Sequence, residues 1–272
     1  MNKNYGVVYV VLGEKAAGEC ARSIASVKQY CDYPVKVLSD HMFDVDAKVE
    51  IFTPIDYALP RWGVKNSDYF RLIALRESSW EVTAYLDNDN LIVSPRFLDG
   101  FEIAKHFGMA IPTGAWPFAE TEIYKGYDSS EEDKKELANF PMSATAFDCA
   151  VIFYSARSKG LLDAWIDEAE KRPTRGPVVL LRAMWRTKQY PFCLTPNWRV
   201  EDPHVGIKDP IIVHLEHKHV KDYYLGRLPL FMWRIIWKIW DCCYALYLFS
   251  YKMLGYPIRF FKKIFLIKKD HK

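Results

Sequence analysis

From Tyr5 to Leu12 the chain reads YGVVYVVL, an almost continuous apolar run rich in Val and Tyr. Such a run predicts a strand covered on both faces. In the following AAGECARSIASVKQYC, Ala17, Ala21, Ile24, Val27 and Cys31 recur at helical spacing, so a helix is predicted, closed by DYP before a short strand at Val35 to Leu38. A second helix is predicted over NSDYFRLIALRES, with Asn66 or Ser67 as N-cap and Tyr69, Leu72, Ile73 and Leu75 facing inward. It feeds a strand at Val82 to Leu86. Further helices near Phe97 to His106 and Leu161 to Lys171 alternate with strands near Met109 to Ile111, Ala150 to Tyr154 and Ile211 to His214. This alternation predicts an α/β sheet with helices on both faces. The polar interval from Ala119 to Ala138, which includes SSEEDKKE, reads as an irregular loop or exposed helix, and long loops in compact domains often serve as lids or acceptor-binding elements.

With 272 residues, half of them apolar, the chain can bury the core of one large domain, which sets the disordered class aside. The net charge of +3 conceals an asymmetry: from Lys221 onward there are 11 Lys and Arg against 3 Asp, a net +8 that leaves −5 on the remainder. An acidic partner is expected for that tail alone. Its apolar runs between Leu228 and Lys272 are broken by Arg234, Lys238, Asp241 and Lys252, so none approaches the roughly 20 apolar residues of a spanning helix. Trp233, Trp237 and Trp240 recur at helical spacing beside Arg234 and Lys238, which predicts amphipathic helices lying in the interface of an anionic membrane. Packing of the same stretch as a helix pair on the catalytic domain, or at a dimer contact, is the alternative. The Trp, Phe and Ile content suits lipid better than a groove that tracks nucleic-acid phosphates. The expected division is a catalytic domain over residues 1–222 and a membrane-docking tail over residues 223–272.

Cys20, Cys31, Cys149, Cys193, Cys242 and Cys243 form no CxxC pair and no zinc spacing, so neither a disulfide framework nor a structural metal is expected. Cys242 and Cys243 fit two small apolar side chains on a helix or, in a eukaryote, lipidation sites. The apolar run before Glu14 is too short for a secretory signal. A cytoplasmic catalytic part, peripheral on the inner face of a membrane, is the expectation.

Candidate chemistry concentrates in YLDNDNLIV, Tyr85 to Val93, where Asp87 and Asp89 flank Asn88 just as a buried strand ends. In open α/β sheets ligands bind beyond the carboxyl ends of strands. Paired carboxylates there suit a hard divalent cation that keeps open positions for phosphate oxygens, and such a cation neutralises a departing diphosphate. A solvated turn would also use Asp and Asn in this way.

YLDNDNLIV resembles the DxD segment of GT-A glycosyltransferases. Together with SDYFRLIAL before it and FDCAVIFY and IIVHLEH after it, the segment resembles, in order, the pattern of the retaining family that includes glycogenin and the bacterial lipopolysaccharide galactosyltransferases. The similarity spans roughly Tyr5 to Val220. It implies a Rossmann-like GT-A fold, a UDP-sugar donor, and manganese or magnesium held by Asp87, Asp89 and His214, with His217 and His219 as alternatives for the third ligand. Imidazole beside two carboxylates suits manganese better than magnesium. Asn88 joins the two aspartates as a cofactor-binding residue, and Val11, Leu12 and Gly13 match the chain that wraps the uracil and ribose. Arg71 matches an arginine that approaches the nucleotide sugar, while its i, i+3 spacing from Asp68 also fits an ion pair on an exposed helix face. Asp148, in FDCA, takes the place of a sugar-contacting Asn. Lys218, like Lys221, lies near the family's KPW but without that pattern, and Arg175 and Gly176 stand where the family often has a DQ pair. An inverting GT-A transferase is the alternative, with Glu120, Glu122 or Asp128 as base. A sugar nucleotidyltransferase would need a Gly-rich basic loop that VVLGEKAAGE lacks. A noncatalytic membrane-docking protein with a degenerate transferase fold is a further class. The expected activity is that of a metal-dependent glycosyltransferase, a hexosyltransferase moving sugar from UDP-sugar to a lipid-linked or membrane-proximal saccharide.

Overall fold

Strand β1 (Tyr5–Val11) is buried along its whole length, and its side chains alternate between two cores. Tyr5, Val7, Tyr9 and Val11 enter one, Val8 and Val10 the other, as the two-residue period of a strand dictates. In this computed structural model, residues 4–52, 67–117, 135, 145–171, 176–200 and 207–214 are described. The chain divides into two units, Met1–Lys221 and Asp222–Lys272, and every described residue belongs to the first. The predicted helices of the basic tail, most of the interval 119–138 and the proposed cap Asn66 lie outside the described residues.

Helix α1 (Glu14–Lys28) lays Ala17, Cys20, Ile24 and Val27 on the first core and returns the chain to β2 (Val35–Ser39), parallel to β1. β3 (Lys48–Ile51) extends the sheet in parallel beyond β2. Its residues are half-buried or exposed, so its four positions carry no buried-strand signal, and the backbone ladder with β2 makes it a strand. α2 (Ser67–Arg76) covers the opposite face with Tyr69, Phe70, Leu72 and Leu75 and leads into β4 (Val82–Leu86), parallel to β1 on the side away from β2. Side chains of this kind stabilise by about 1.5–3 kcal/mol each when fully buried, which is why two short helices suffice to clamp the sheet from both sides. β1 is thus flanked by β2 and β4 through connections on opposite faces. The crevice between the carboxyl ends of β1 and β4 is the topological switch point of the parallel half.

After β5 (Asn90–Ile92), a 3-10 turn over Pro95–Leu98 capped by Ser94 opens α3 (Asp99–Phe107). Gly108, at φ 94°, ends that helix in a conformation a side chain would resist. β6 (Met109–Pro117), β7 (Thr145–Phe147) and β8 (Val151–Ser155) follow. Then come α4 (Lys159–Lys171), α5 (Gly176–Thr187), β9 (Phe192–Leu194) and β10 (Ile212–His214). The main sheet has the order β3-β2-β1-β4-β8-β6-β7, with β9 added in parallel to β6. β8 runs antiparallel to both of its neighbours. α1 and α3 cover one face; α2, α4 and α5 cover the other. The molecule is a mixed α/β fold around a mostly parallel sheet, of the Rossmann-like kind.

Candidate functional site

Two turns meet at the carboxyl end of β4. The first, Asp87 to Asn90, carries the chain from β4 into β5, with Asn90 N–H donating to the Asp87 carbonyl at 3.2 Å. The second, Asp148 to Ala150, carries β7 into β8. Ala150 O accepts from Asp87 N–H at 2.9 Å and from Asn90 Nδ2 at 2.9 Å, so one carbonyl ties the turns together. Asn88 Nδ2 donates to Val10 O at 2.8 Å, which moors the first turn to the end of β1. The residue between the two aspartates therefore works as a strut.

The two aspartates have different surroundings. Asp89 Oδ2 lies 2.9 Å from His214 Nε2, because β10 pairs antiparallel with β5 and sets His214 directly opposite Asn90. His214 itself is buried. Burial raises the Asp89 carboxyl, but the hydrogen bond from His214 and the charges of His214 and Arg199 outweigh it, leaving the group below its ordinary range. Asp87 points elsewhere: its Oδ1 accepts from Tyr85 Oη at 2.5 Å and lies 3.9 Å from Arg71 Nη1. Among the described residues no group of three His, Cys, Asp or Glu side chains converges as a metal cage; Asp89 and His214 meet, and Asp87 stands in the same turn on its other partners.

Whether a divalent cation fits can be judged from the uncommitted oxygens. Asn88 Oδ1, Asp89 Oδ1 and Asn90 Oδ1 are all buried and accept no hydrogen bond among the described residues. A buried acceptor left unpaired costs about 1–3 kcal/mol, so each of these three oxygens calls for a partner, and a divalent cation is one group that would supply it. Ligand atoms about 2.1 Å from one octahedral ion stand about 3 Å apart at adjacent corners, which is compatible with the Asp89–His214 separation. An imidazole and carboxylates are a donor set that Mn2+ accepts. The residues fit the cation.

Arg71 makes the ion pair that its i, i+3 spacing from Asp68 allowed. The pair is not on an exposed helix face: Arg71 is buried, donates to Cys149 O and reaches Asp87. Asp68 in turn accepts from Gly176 N–H at 2.9 Å, so it also caps the start of α5. Asp148 pairs with Arg199 through Oδ2 and accepts from Ala150 N–H through Oδ1 at 3.1 Å. Both of its oxygens are engaged, which makes it a brace of the second turn. Arg199 was missed in the sequence because a single Arg in PNWRVE carries no pattern; its burial beside Asp148 appears only when η-turn Pro196–Trp198 and β10 pack together. Burial pushes the Cys149 thiol up to about 12, so it is no nucleophile near neutral pH.

At the end of β1, Val11 is a core residue whose side chain is unavailable to a ligand, and Leu12 is half-buried against the second core. Gly13 has φ 82° and ψ 159°, a region open essentially to glycine alone. Its N–H donates to Asp40 Oδ1 at 3.1 Å, and Asp40 also holds His41 Nδ1 at 2.7 Å. A carboxylate thus occupies the start of α1, where a dinucleotide-binding fold would seat phosphate. Sequence reasoning passed over Asp40 and His41, which follow β2 and join Gly13 only through the β1–β2 ladder. Lys218, His217, His219, Arg175, Glu120, Glu122 and Asp128 lie outside the described residues. Gly176 opens α5 against Asp68.

Neither comparison with known protein families nor comparison with curated proteins returns a match to this chain.

Proposed function

We propose that this protein is a metal-dependent glycosyltransferase of GT-A type that moves a sugar from a nucleotide diphosphate sugar, in our reading a UDP-sugar, to a saccharide acceptor held at a membrane. One observation carries the reading: Asp89, in the same turn as Asp87 and Asn88, meets His214 of β10 at the switch point beyond the carboxyl ends of β1 and β4. A sheet of this kind receives ligands there, and the occupied start of α1 turns a diphosphate away from the alternative seat.

Asp89 and His214 would hold the cation, with Asp87 completing the set from the same turn. When bound, the cation supplies positive charge to the diphosphate of the leaving nucleotide. Arg71, neutralised by Asp68 and Asp87 and tied to Cys149 O, fixes the second turn against the first. Asp148 and Arg199 brace the floor on the other side. With both oxygens engaged by Arg199 and Ala150 N–H, Asp148 would act on the donor sugar by holding the second turn in place rather than as a base. Among the described residues no helix is long and apolar enough to cross a membrane. The peripheral, inner-face location and the lipid-linked acceptor rest on the basic aromatic tail over residues 228–272.

The test is a screen of nucleotide sugars for hydrolysis or transfer stimulated by Mn2+. Stimulation by one UDP-sugar, lost on chelation, supports the proposal; no turnover or binding of any nucleotide sugar with Mn2+ or Mg2+ overturns it and favours the noncatalytic class.

A further inference from the structure

Tyr85 lies on β4, with its side chain on the face covered by α2, and Asp87 follows two residues later, just past the end of the strand. Tyr85 is 1 % exposed, its ring lies under the Arg71 guanidinium with 5.3 Å from Cζ to the ring centroid, and its hydroxyl reaches Asp87 Oδ1 at 2.5 Å. Arg71 Nη1 approaches the same oxygen at 3.9 Å. Both contacts use Oδ1, and neither uses Oδ2. Asp89 repeats the arrangement: His214 takes Oδ2, while Oδ1 is buried and accepts no hydrogen bond among the described residues. Each aspartate thus has one oxygen pinned and one held in reserve.

We propose that Tyr85 is a positioning residue for the cation, pinning one oxygen of Asp87 so that the other is presented to a divalent metal. This rests on the metal-dependent reading above and assigns a role to a side chain that by pattern is only a core strand residue. The Tyr85 hydroxyl donates and Asp87 Oδ1 accepts. Arg71 braces the ring and shares the same oxygen, which leaves Asp87 little freedom to turn. Hydrogen bonds to ligating groups from outside the metal shell are worth roughly 10–100-fold in metal affinity when removed, so the hydroxyl has a measurable effect even though it never touches the metal.

The experiment is Mn2+ binding to the full-length protein without donor, read by the electron paramagnetic resonance of free and bound Mn2+, for the native chain, Tyr85→Phe and Asp87→Asn. Phe keeps the ring and its packing, so the variant isolates the hydroxyl. Expected are a loss of roughly tenfold or more in Mn2+ affinity for Tyr85→Phe, a changed bound-Mn2+ spectrum, and a smaller loss than for Asp87→Asn. In the native protein, Mn2+ should also produce a tyrosine ultraviolet difference signal that saturates with the metal; this readout does not depend on Tyr85→Phe folding. Native-like affinity and spectrum in Tyr85→Phe, with Asp87→Asn impaired, overturn the positioning role and leave the metal reading standing. A native protein with no difference signal on saturating Mn2+ overturns the role as well. No Mn2+ binding by the native chain overturns both.

Discussion

His214 Nε2 stands 2.9 Å from Asp89 Oδ2, and the pairing of β10 with β5 brings them there. The imidazole comes from the end of the described chain and the carboxylate from its middle, yet one antiparallel register, His214 opposite Asn90, fixes both. A buried carboxylate without such a partner would be costly, so the contact serves stability, and under the proposed function the same two groups would be the metal ligands.

Asp89→Asn should abolish tight Mn2+ binding and sugar transfer while leaving the thermal midpoint close to native, because the amide fills the same volume and no longer needs a cationic partner. His214→Ala should weaken Mn2+ binding and also lower the midpoint, since it strands Asp89; His217→Ala and His219→Ala should do less of either. Calorimetric Mn2+ titration beside thermal unfolding checks both. Unchanged Mn2+ affinity in folded Asp89→Asn would remove the metal assignment.

Arg199 and Asp148 should behave as one unit. Arg199→Met leaves the part-buried Asp148 carboxylate without its cation partner, with Ala150 N–H as its remaining hydrogen-bond donor among the described residues, a loss of about 1–3 kcal/mol. Adding Asp148→Asn should recover part of it, with a coupling of about 1–3 kcal/mol. Urea unfolding of the two single variants and the double variant measures this, and strict additivity would show that the pair carries no mutual stabilisation.

The buried Tyr9 predicts an alkaline limit. Burial, the largest effect, raises its phenol well above the usual value, and the hydrogen bond with Ser23 at 2.9 Å lowers it without cancelling that rise. The unfolded chain releases this proton near pH 10 while the folded chain keeps it. The contribution is therefore full below about pH 10 and is lost as pH rises toward the folded value. In Tyr9→Phe the fall of stability above pH 10 should be shallower by up to about 1.4 kcal/mol per pH unit, read from urea midpoints across that window. An identical slope would mean that Tyr9 ionises in place.

The basic tail should act through a lipid surface. A chain ending at Tyr224 should lose binding to anionic vesicles and transfer to a lipid-linked acceptor while keeping donor hydrolysis, because the 11 Lys and Arg that set the tail apart lie from Lys221 onward. Sedimentation with vesicles at low salt is the measurement. Equal binding by the shortened chain would place the lipid contact elsewhere.

What the sequence determined by itself was the part encoded in local periodicity. β1, α1, β2, α2 and β4 were legible from runs and helical spacings, with β4 predicted at its observed ends, Val82 and Leu86, because a buried strand must be apolar on both faces. Asp87 and Asp89 were legible as candidates because a charge directly after such a run has to lie at a strand end. The three-residue strands β5 and β9 and the exposed edge β3 carry too few buried positions to leave a pattern, and only their partners made them strands. The tertiary structure also divided the two aspartates, giving Asp89 to His214 and Asp87 to Tyr85 and Arg71. It recruited Arg199 and Asp40, whose single charges no spacing distinguishes from solvated ones. The physical reason is the same in each case: hydrophobic period is a property of neighbours along the chain, whereas a charge becomes part of a site only when strands distant in sequence enclose it beside an opposite charge and away from water.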